Sequence, residues 1–71
     1  MTTFQIQKRT PAINWHTIHK NYSAEAAVDF LMAMSDGGYD KSGTDGILDL
    51  DAMQASDYDG GDLLQIRAIA N

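Results

Sequence analysis

The chain contains no cysteine, which excludes disulfide bonds and any metal or redox site built on thiolates. It has a single proline, and no apolar run approaches the roughly 18 residues that a membrane-spanning helix needs. The N-terminal segment MTTFQIQKRT lacks an apolar core of signal-peptide length. We therefore expect a cytoplasmic protein. Its length of 71 residues predicts one small globular domain over residues 1–71.

Acidic residues are missing from the start of the chain and dense in its second half. Residues 1–22 contain Lys8, Arg9 and Lys20 but no acid, whereas residues 36–62 contain eight aspartates and one lysine, a net charge of −7. The aspartates are Asp36, Asp40, Asp45, Asp49, Asp51, Asp57, Asp59 and Asp62. Because they have the sign of phosphate, we expect no direct binding to DNA or RNA and a partner protein with a Lys/Arg-rich surface.

The first third of the chain predicts two β-strands. Residues 3–9 alternate between apolar and polar side chains, with Phe4 and Ile6 on one face. Pro11 interrupts this pattern, and the β-branched and aromatic residues of 13–19 predict a second strand. In that strand Trp15 and Ile18 would lie on opposite faces.

A helix is predicted at about 24–35, directly after Ser23. Serine is a preferred N-cap residue, Glu25 is an acid in the first turn, and Gly37-Gly38 would end the helix. Spacing predicts one apolar arc. Its members are Ala24, Ala27, Val28, Phe30, Leu31 and Met34.

The last third is less regular. Residues 48–51 alternate and predict a short strand with two exposed carboxylates, residues 52–55 suggest a helical turn, and residues 57–62 read as a loop. Residues 63–69 predict the final strand. We therefore expect an α+β fold in which one helix packs on a small antiparallel sheet of three to four strands, in the order ββα(β)β.

The clustered aspartates and glycines raise the alternative of a calcium-dependent fold. Placing Asp45 and Gly46 at positions 5 and 6 of an EF-hand loop puts Leu48 at position 8, which fits. The same alignment puts Lys41 at position 1 and Ala52 at position 12, where ligands are required. Turn chemistry of Asp and Gly explains the pattern better, and we expect no metal and no cofactor.

Catalytic patterns are weak. His16 and His19 have the spacing H-x-x-H, but on a strand they would point to opposite faces. The serines lack the G-x-S-x-G pattern of a nucleophile elbow. We expect the protein not to be an enzyme and expect it to have no catalytic residues.

The acidic surface is the leading functional hypothesis. Carboxylates fixed on a folded surface can imitate nucleic-acid phosphates and occupy a basic nucleic-acid-binding surface of a partner. In size and charge, though through no motif, the chain is similar to small acidic proteins with which phages and mobile elements inhibit host defence enzymes. The rival is an accessory or structural interaction domain, monomeric or homodimeric through its sheet edges, whose acidity serves solubility. If the aspartates are not the interface, the N-terminal part offers Trp15, His16, His19 and Lys20 as an alternative.

Overall fold

A computed structural model of the chain describes residues 2–34, 47–59 and 62–71. These residues form six elements in the order ββαβββ. The elements are β1 (Phe4–Arg9), β2 (His16–Tyr22), α1 (Ala24–Ala33), β3 (Ile47–Asp49), β4 (Gln54–Asp59) and β5 (Asp62–Ala70). Each neighbouring pair of strands is antiparallel, and the order across the sheet is β2-β1-β5-β4-β3. The predicted α+β fold with a helix on one face is confirmed.

The core lies between α1 and one face of the sheet. Alternate residues of β1 and β5, among them Ile6, Leu64 and Ile66, are fully buried there, and Leu31 of α1 is equally inaccessible. The complete buried cluster is Ile6, Ala27, Leu31, Met34, Ala55, Leu64, Ile66 and Ala68. The strand–helix contact predicted from the two apolar patterns is therefore confirmed.

The N-terminus of α1 is closed by Ser23 as predicted. Ser23 has an extended backbone, and its hydroxyl oxygen accepts a hydrogen bond of 3.1 Å from the amide of Ala26. The predicted apolar arc is right except for Ala24, which is exposed together with Glu25 because the first turn lies outside the packed part of the helix. The predicted end at residue 35 and its glycine stop lie outside the described residues.

The second half of the sheet differs from the prediction. The strand predicted at 48–51 is β3, which ends at Asp49, and residues 50–53 form a turn in place of the helical turn predicted at 52–55. In the loop predicted at 57–62, residues 57–59 belong to β4 and residue 62 to β5, while residues 60–61 lie outside the described residues. Strand β4 forms despite its polar sequence because it is hydrogen-bonded on both sides, to β3 and to β5, and pairing overrides weak local propensity. The sheet therefore has five strands rather than three to four.

Strand β2 begins three residues later than predicted because a turn follows Pro11. The amide of Thr10 donates to the carbonyl of Ile13 at 2.9 Å, and the amide of Ile13 donates back at 3.3 Å. Ile13 is consequently 55% exposed instead of lying in a strand. Trp15 precedes β2 but still lies on the opposite side of the sheet from Ile18, as predicted.

Candidate functional site

Strand order separates the charges of the chain into two sides of the sheet. Strands β3 and β4 come from the acidic half and lie next to each other at one side, whereas β1 and β2 come from the acid-free half and lie at the other. We call β3, the turn at 50–53, β4 and the first residue of β5 the acidic side. A charge asymmetry along the chain thus becomes an asymmetry in space.

Five of the eight predicted aspartates lie on the acidic side. Asp49, Asp51 and Asp62 are exposed, and Asp57 and Asp59 lie within β4. The remaining predicted site residues, Asp36, Asp40 and Asp45, are outside the described residues. The structure therefore brings part of the predicted set together along one side of the sheet.

Asp49 also has a structural role at the end of β3. Its Oδ1 accepts a hydrogen bond of 3.1 Å from the amide of Ala52, and the amide of Met53 donates to the carbonyl of Leu50. These bonds close the turn, in which Met53 has a positive φ of 52°. The bond at Oδ1 holds the carboxylate against the turn, while the side chain as a whole stays exposed.

The alternative N-terminal site is not one surface. Trp15 lies over the sheet face opposite α1, whereas the ring of His19 stacks on Tyr22 at 5.2 Å and meets Phe30 of α1 edge-on at 5.4 Å. His16 and Lys20 are exposed on β2. The sheet itself therefore separates Trp15 from His19.

The two histidines share a face, contrary to the prediction. His16 pairs with Lys8 and His19 with Ile6, and Ile6 and Lys8 are two residues apart on β1. The register shifts beside Ile6, so β2 contains an extra residue that reverses the expected alternation. A bulge of this kind has no distinct signal in the sequence.

The sheet face opposite α1, which we call the open face, carries a network of polar side chains. The described residues include no second helix over it. The hydroxyl of Thr17 donates to Oε1 of Gln5 at 2.7 Å, and Nε of Arg67 donates to Oε1 of Gln7 at 2.8 Å. The network thus runs across β2, β1 and β5 and fixes the side chain of Arg67.

Trp15 packs against two guanidinium groups on the open face. The Cζ atom of Arg67 lies 4.1 Å from the ring centroid, and that of Arg9 lies 4.8 Å from it. Nε of Arg9 donates to Oε1 of Gln65 at 2.8 Å, and its Nη2 donates to the same oxygen. We call Arg9, Trp15 and Arg67 the arginine–tryptophan cluster.

A shallow depression of about 160 Å³ lies beside this cluster. Its lining includes Trp15, Asp49, Gln54, Ser56 and Gln65, with no histidine. Ser56 therefore has no histidine beside it in this depression to activate its hydroxyl, and Oδ1 of Asp49 already accepts from the amide of Ala52. The depression has the size and polarity to hold a few water molecules or one polar group of a ligand.

Residues 2–34, 47–59 and 62–71 contain neither a metal-binding cluster nor a membrane-spanning helix. No group of three or more His, Asp or Glu side chains in that part of the chain has a geometry that could hold a metal ion. No helix there is both long and apolar enough to cross a membrane. The calcium alternative falls largely on residues outside the described ranges and stays a prediction.

No protein-family model, no curated protein and no solved structure matches this chain. The candidate functional surfaces are therefore inferred from the geometry of this chain alone. They are the acidic side and the open face.

Of the arginine–tryptophan cluster, only Trp15 belongs to a site predicted from the sequence, and there it was grouped with His16, His19 and Lys20 instead of with Arg9 and Arg67. A signal for it existed, since Gln5, Gln7 and Arg9 alternate with the core residues of β1, and Gln65 and Arg67 alternate with those of β5. What the sequence could not show was that β1 and β5 are neighbours, with Arg9 opposite Gln65.

Proposed function

We propose that the protein is a binding module without enzymatic activity, and that its acidic side occupies a Lys/Arg-rich surface of a partner protein. The observation that supports this proposal is the strand order, which places the aspartates of β3 and β4 on adjacent strands and away from the cations of β1 and β2. Arg67 of β5 pairs with Gln54 of β4, but its Nε donates to Gln7 of β1, on the side of the sheet away from β3. The aspartates can therefore face a basic partner while this one neighbouring arginine is turned away from them.

The charge density of the acidic side supports mimicry of a single nucleic-acid strand rather than of a duplex. Asp49 pairs with Gln54, which is five residues before Asp59, so the acidic side extends about 17 Å along the strands. Three aspartates there have exposed side chains, Asp49, Asp51 and Asp62, so their charge is sparser than that of a duplex, which has about one charge per 1.7 Å of its axis.

Occupation of a basic nucleic-acid-binding surface would make the protein an inhibitor of its partner. A small acidic inhibitor of a host defence protein would act in this way. Direct binding of DNA or RNA by the acidic side is disfavoured, because no counterions would be released from the nucleic acid by carboxylates.

The test is capture of partners from a lysate of the native host by the immobilised protein, with competition by a single-stranded oligonucleotide. Wild type is compared with the double variant Asp49→Asn, Asp51→Asn. The matched control is Glu25→Gln, Asp29→Asn, which removes the same number of charges from exposed positions on α1. Circular dichroism first establishes that all three proteins are folded.

We expect the captured proteins to bind nucleic acid and to be released by the oligonucleotide. Of the two variants, only the acidic-side variant should capture them more weakly than wild type. The association rate should fall steeply with salt, since the Debye length is only about 8 Å at 0.15 M. Equal capture by wild type and by both variants, or capture that the oligonucleotide does not reverse, would show that the acidic side is not the interface.

A further inference from the structure

The depression beside Trp15 has one charged side chain in its lining, surrounded by neutral ones. Its volume is about 160 Å³, and its polar lining consists of Asp49, Gln54, Ser56 and Gln65. Asp49 and Gln54 are exposed, so the depression opens to solvent at the end formed by β3 and β4. A single carboxylate among amides and a hydroxyl favours a cation that also donates hydrogen bonds.

Three acceptor groups of this lining accept no hydrogen bond within the described part of the chain. They are Oδ2 of Asp49, whose Oδ1 accepts from the amide of Ala52, Oε1 of Gln54 and Oγ of Ser56. Asp49 pairs with Gln54 across β3 and β4, which places the two side chains about 5 Å apart. Ser56 lies two residues further along β4 on the same face, about 7 Å away. The acceptors therefore surround the depression instead of meeting at one point.

The spread of these acceptors suits a guanidinium group better than an ammonium group. A guanidinium is planar and directs five N–H donors outwards, so it can contact a carboxylate and a neighbouring acceptor at the same time. An ammonium is a compact, strongly hydrated charge that donates to acceptors close to one point. The volume of the depression is also that of a cavity which holds one small planar group.

The two arginines of the arginine–tryptophan cluster leave this site open to another cation. Neither Arg9 nor Arg67 belongs to the lining, because their guanidinium groups lie against the ring of Trp15. Arg67 is two strands from Asp49, about 10 Å, and directs its Nε towards Gln7 on β1. Its repulsion of a cation beside Asp49 is largely screened at that distance, since the Debye length is about 8 Å at 0.15 M salt.

We propose that the depression receives the guanidinium group of an arginine of the partner protein, an inference that rests on the proposed function of the acidic side. Asp49 supplies the opposite charge, and Gln54 and Ser56 accept further N–H groups. The ring of Trp15 forms the apolar wall of the site. Because Asp49 belongs both to the acidic side and to this lining, the depression is the place where a Lys/Arg-rich surface is held by specific contacts as well as by long-range attraction.

The test uses a blocked tripeptide, Gly-Arg-Gly, titrated into isotope-labelled protein and followed by NMR spectroscopy. Two further tripeptides replace the arginine by lysine or by citrulline, which has nearly the shape of arginine without its charge. The variant is Asp49→Asn, which keeps an oxygen for the amide of Ala52. The matched control is Asp29→Asn, the same substitution at an exposed position of α1 on the other side of the sheet. Circular dichroism first establishes that both variants are folded.

We expect the arginine peptide to shift the side-chain amide signals of Gln54 and Gln65 with a Kd of about 1 mM. The lysine peptide should bind about tenfold more weakly, because an ammonium makes fewer of the available contacts, and the citrulline peptide should not saturate. Asp49→Asn should weaken binding of the arginine peptide about tenfold, whereas Asp29→Asn should leave it unchanged. The comparison of the three peptides on wild type decides the matter even if Asp49→Asn does not fold.

Four results would overturn the inference. They are the absence of a saturable shift with the arginine peptide up to about 10 mM, equal binding of the lysine and arginine peptides, a loss with Asp29→Asn as large as that with Asp49→Asn, and shifts confined to residues away from the depression. A blocked Gly-Glu-Gly peptide that shifts the same signals would also overturn it, because the site would then prefer an anion.

The inference and the proposed function can fail separately. If the double variant of the acidic side loses a captured partner while the arginine peptide does not bind wild type, the depression is not an arginine site and the proposed function stands. If the arginine peptide binds as expected while capture is the same for the double variant and wild type, the proposed function fails. The depression then remains a guanidinium site without a role in that capture.

Discussion

Truncation of Leu31 should cost this protein a large part of its stability. Leu31 is fully buried in the last turn of α1, against the face of the sheet that contains Ile6, Leu64 and Ile66. Leu31→Ala removes buried apolar atoms and leaves a cavity, which typically costs about 2–5 kcal/mol. A domain of this length is expected to have about 4–11 kcal/mol of unfolding free energy in total, at about 0.05–0.15 kcal/mol per residue.

The assay is thermal and urea unfolding followed by circular dichroism. A change of 1 kcal/mol shifts the melting temperature of a domain of this size by about 4–8 °C, so Leu31→Ala should lower it by about 10 °C or more. Leu50→Ala is the matched control, because the same side chain is 43% exposed in a turn and its truncation should cost only about 0.5 kcal/mol. If the two variants were equally mild, α1 would not pack on the sheet through the face described.

Two further predictions concern the helix cap and metal ions. Ser23→Ala removes the oxygen that accepts from the amide of Ala26 and should cost about 0.5–2 kcal/mol in urea unfolding, whereas Ser23→Asp should retain most of the stability. Calcium or a chelator should leave the melting temperature unchanged at moderate ionic strength, because a ligand of the native state would have to raise it. A rise that calcium produces and magnesium does not would restore the calcium alternative.

The elements that could be predicted are those in which local pattern and tertiary packing agree. In α1 the N-cap, the acid in the first turn and the apolar arc all indicate one helix, and the buried Ala27, Leu31 and Met34 are members of that arc. Strands β1 and β5 alternate clearly and bury Ile6, Leu64 and Ile66. For each of these residues, the secondary structure that the local sequence favours is also the one that buries the side chain in the core.

The features that could not be predicted depend on contacts between distant parts of the chain. The sequence of β4 has turn-type composition and becomes a strand only because β3 and β5 pair with it. The bulge in β2 moves His19 to the face of α1, where it meets Tyr22 and Phe30. The arginine–tryptophan cluster likewise combines residues from β1, from the segment before β2 and from β5, which no local pattern connects.

Strand order also determines which strands of the sheet could pair with another copy of the chain. The edge strands are β2 and β3, and an exposed edge invites pairing with another chain. Strand β3 has only three residues and carries Asp49, while β2 is bulged and carries the exposed Lys20. Short, charged or bulged edges are those that resist edge-to-edge pairing. The predicted homodimer joined by sheet edges is therefore disfavoured. Raising the protein concentration should therefore leave amide exchange along β2 and β3 unchanged, and slower exchange along either strand at high concentration would show that it pairs with another copy.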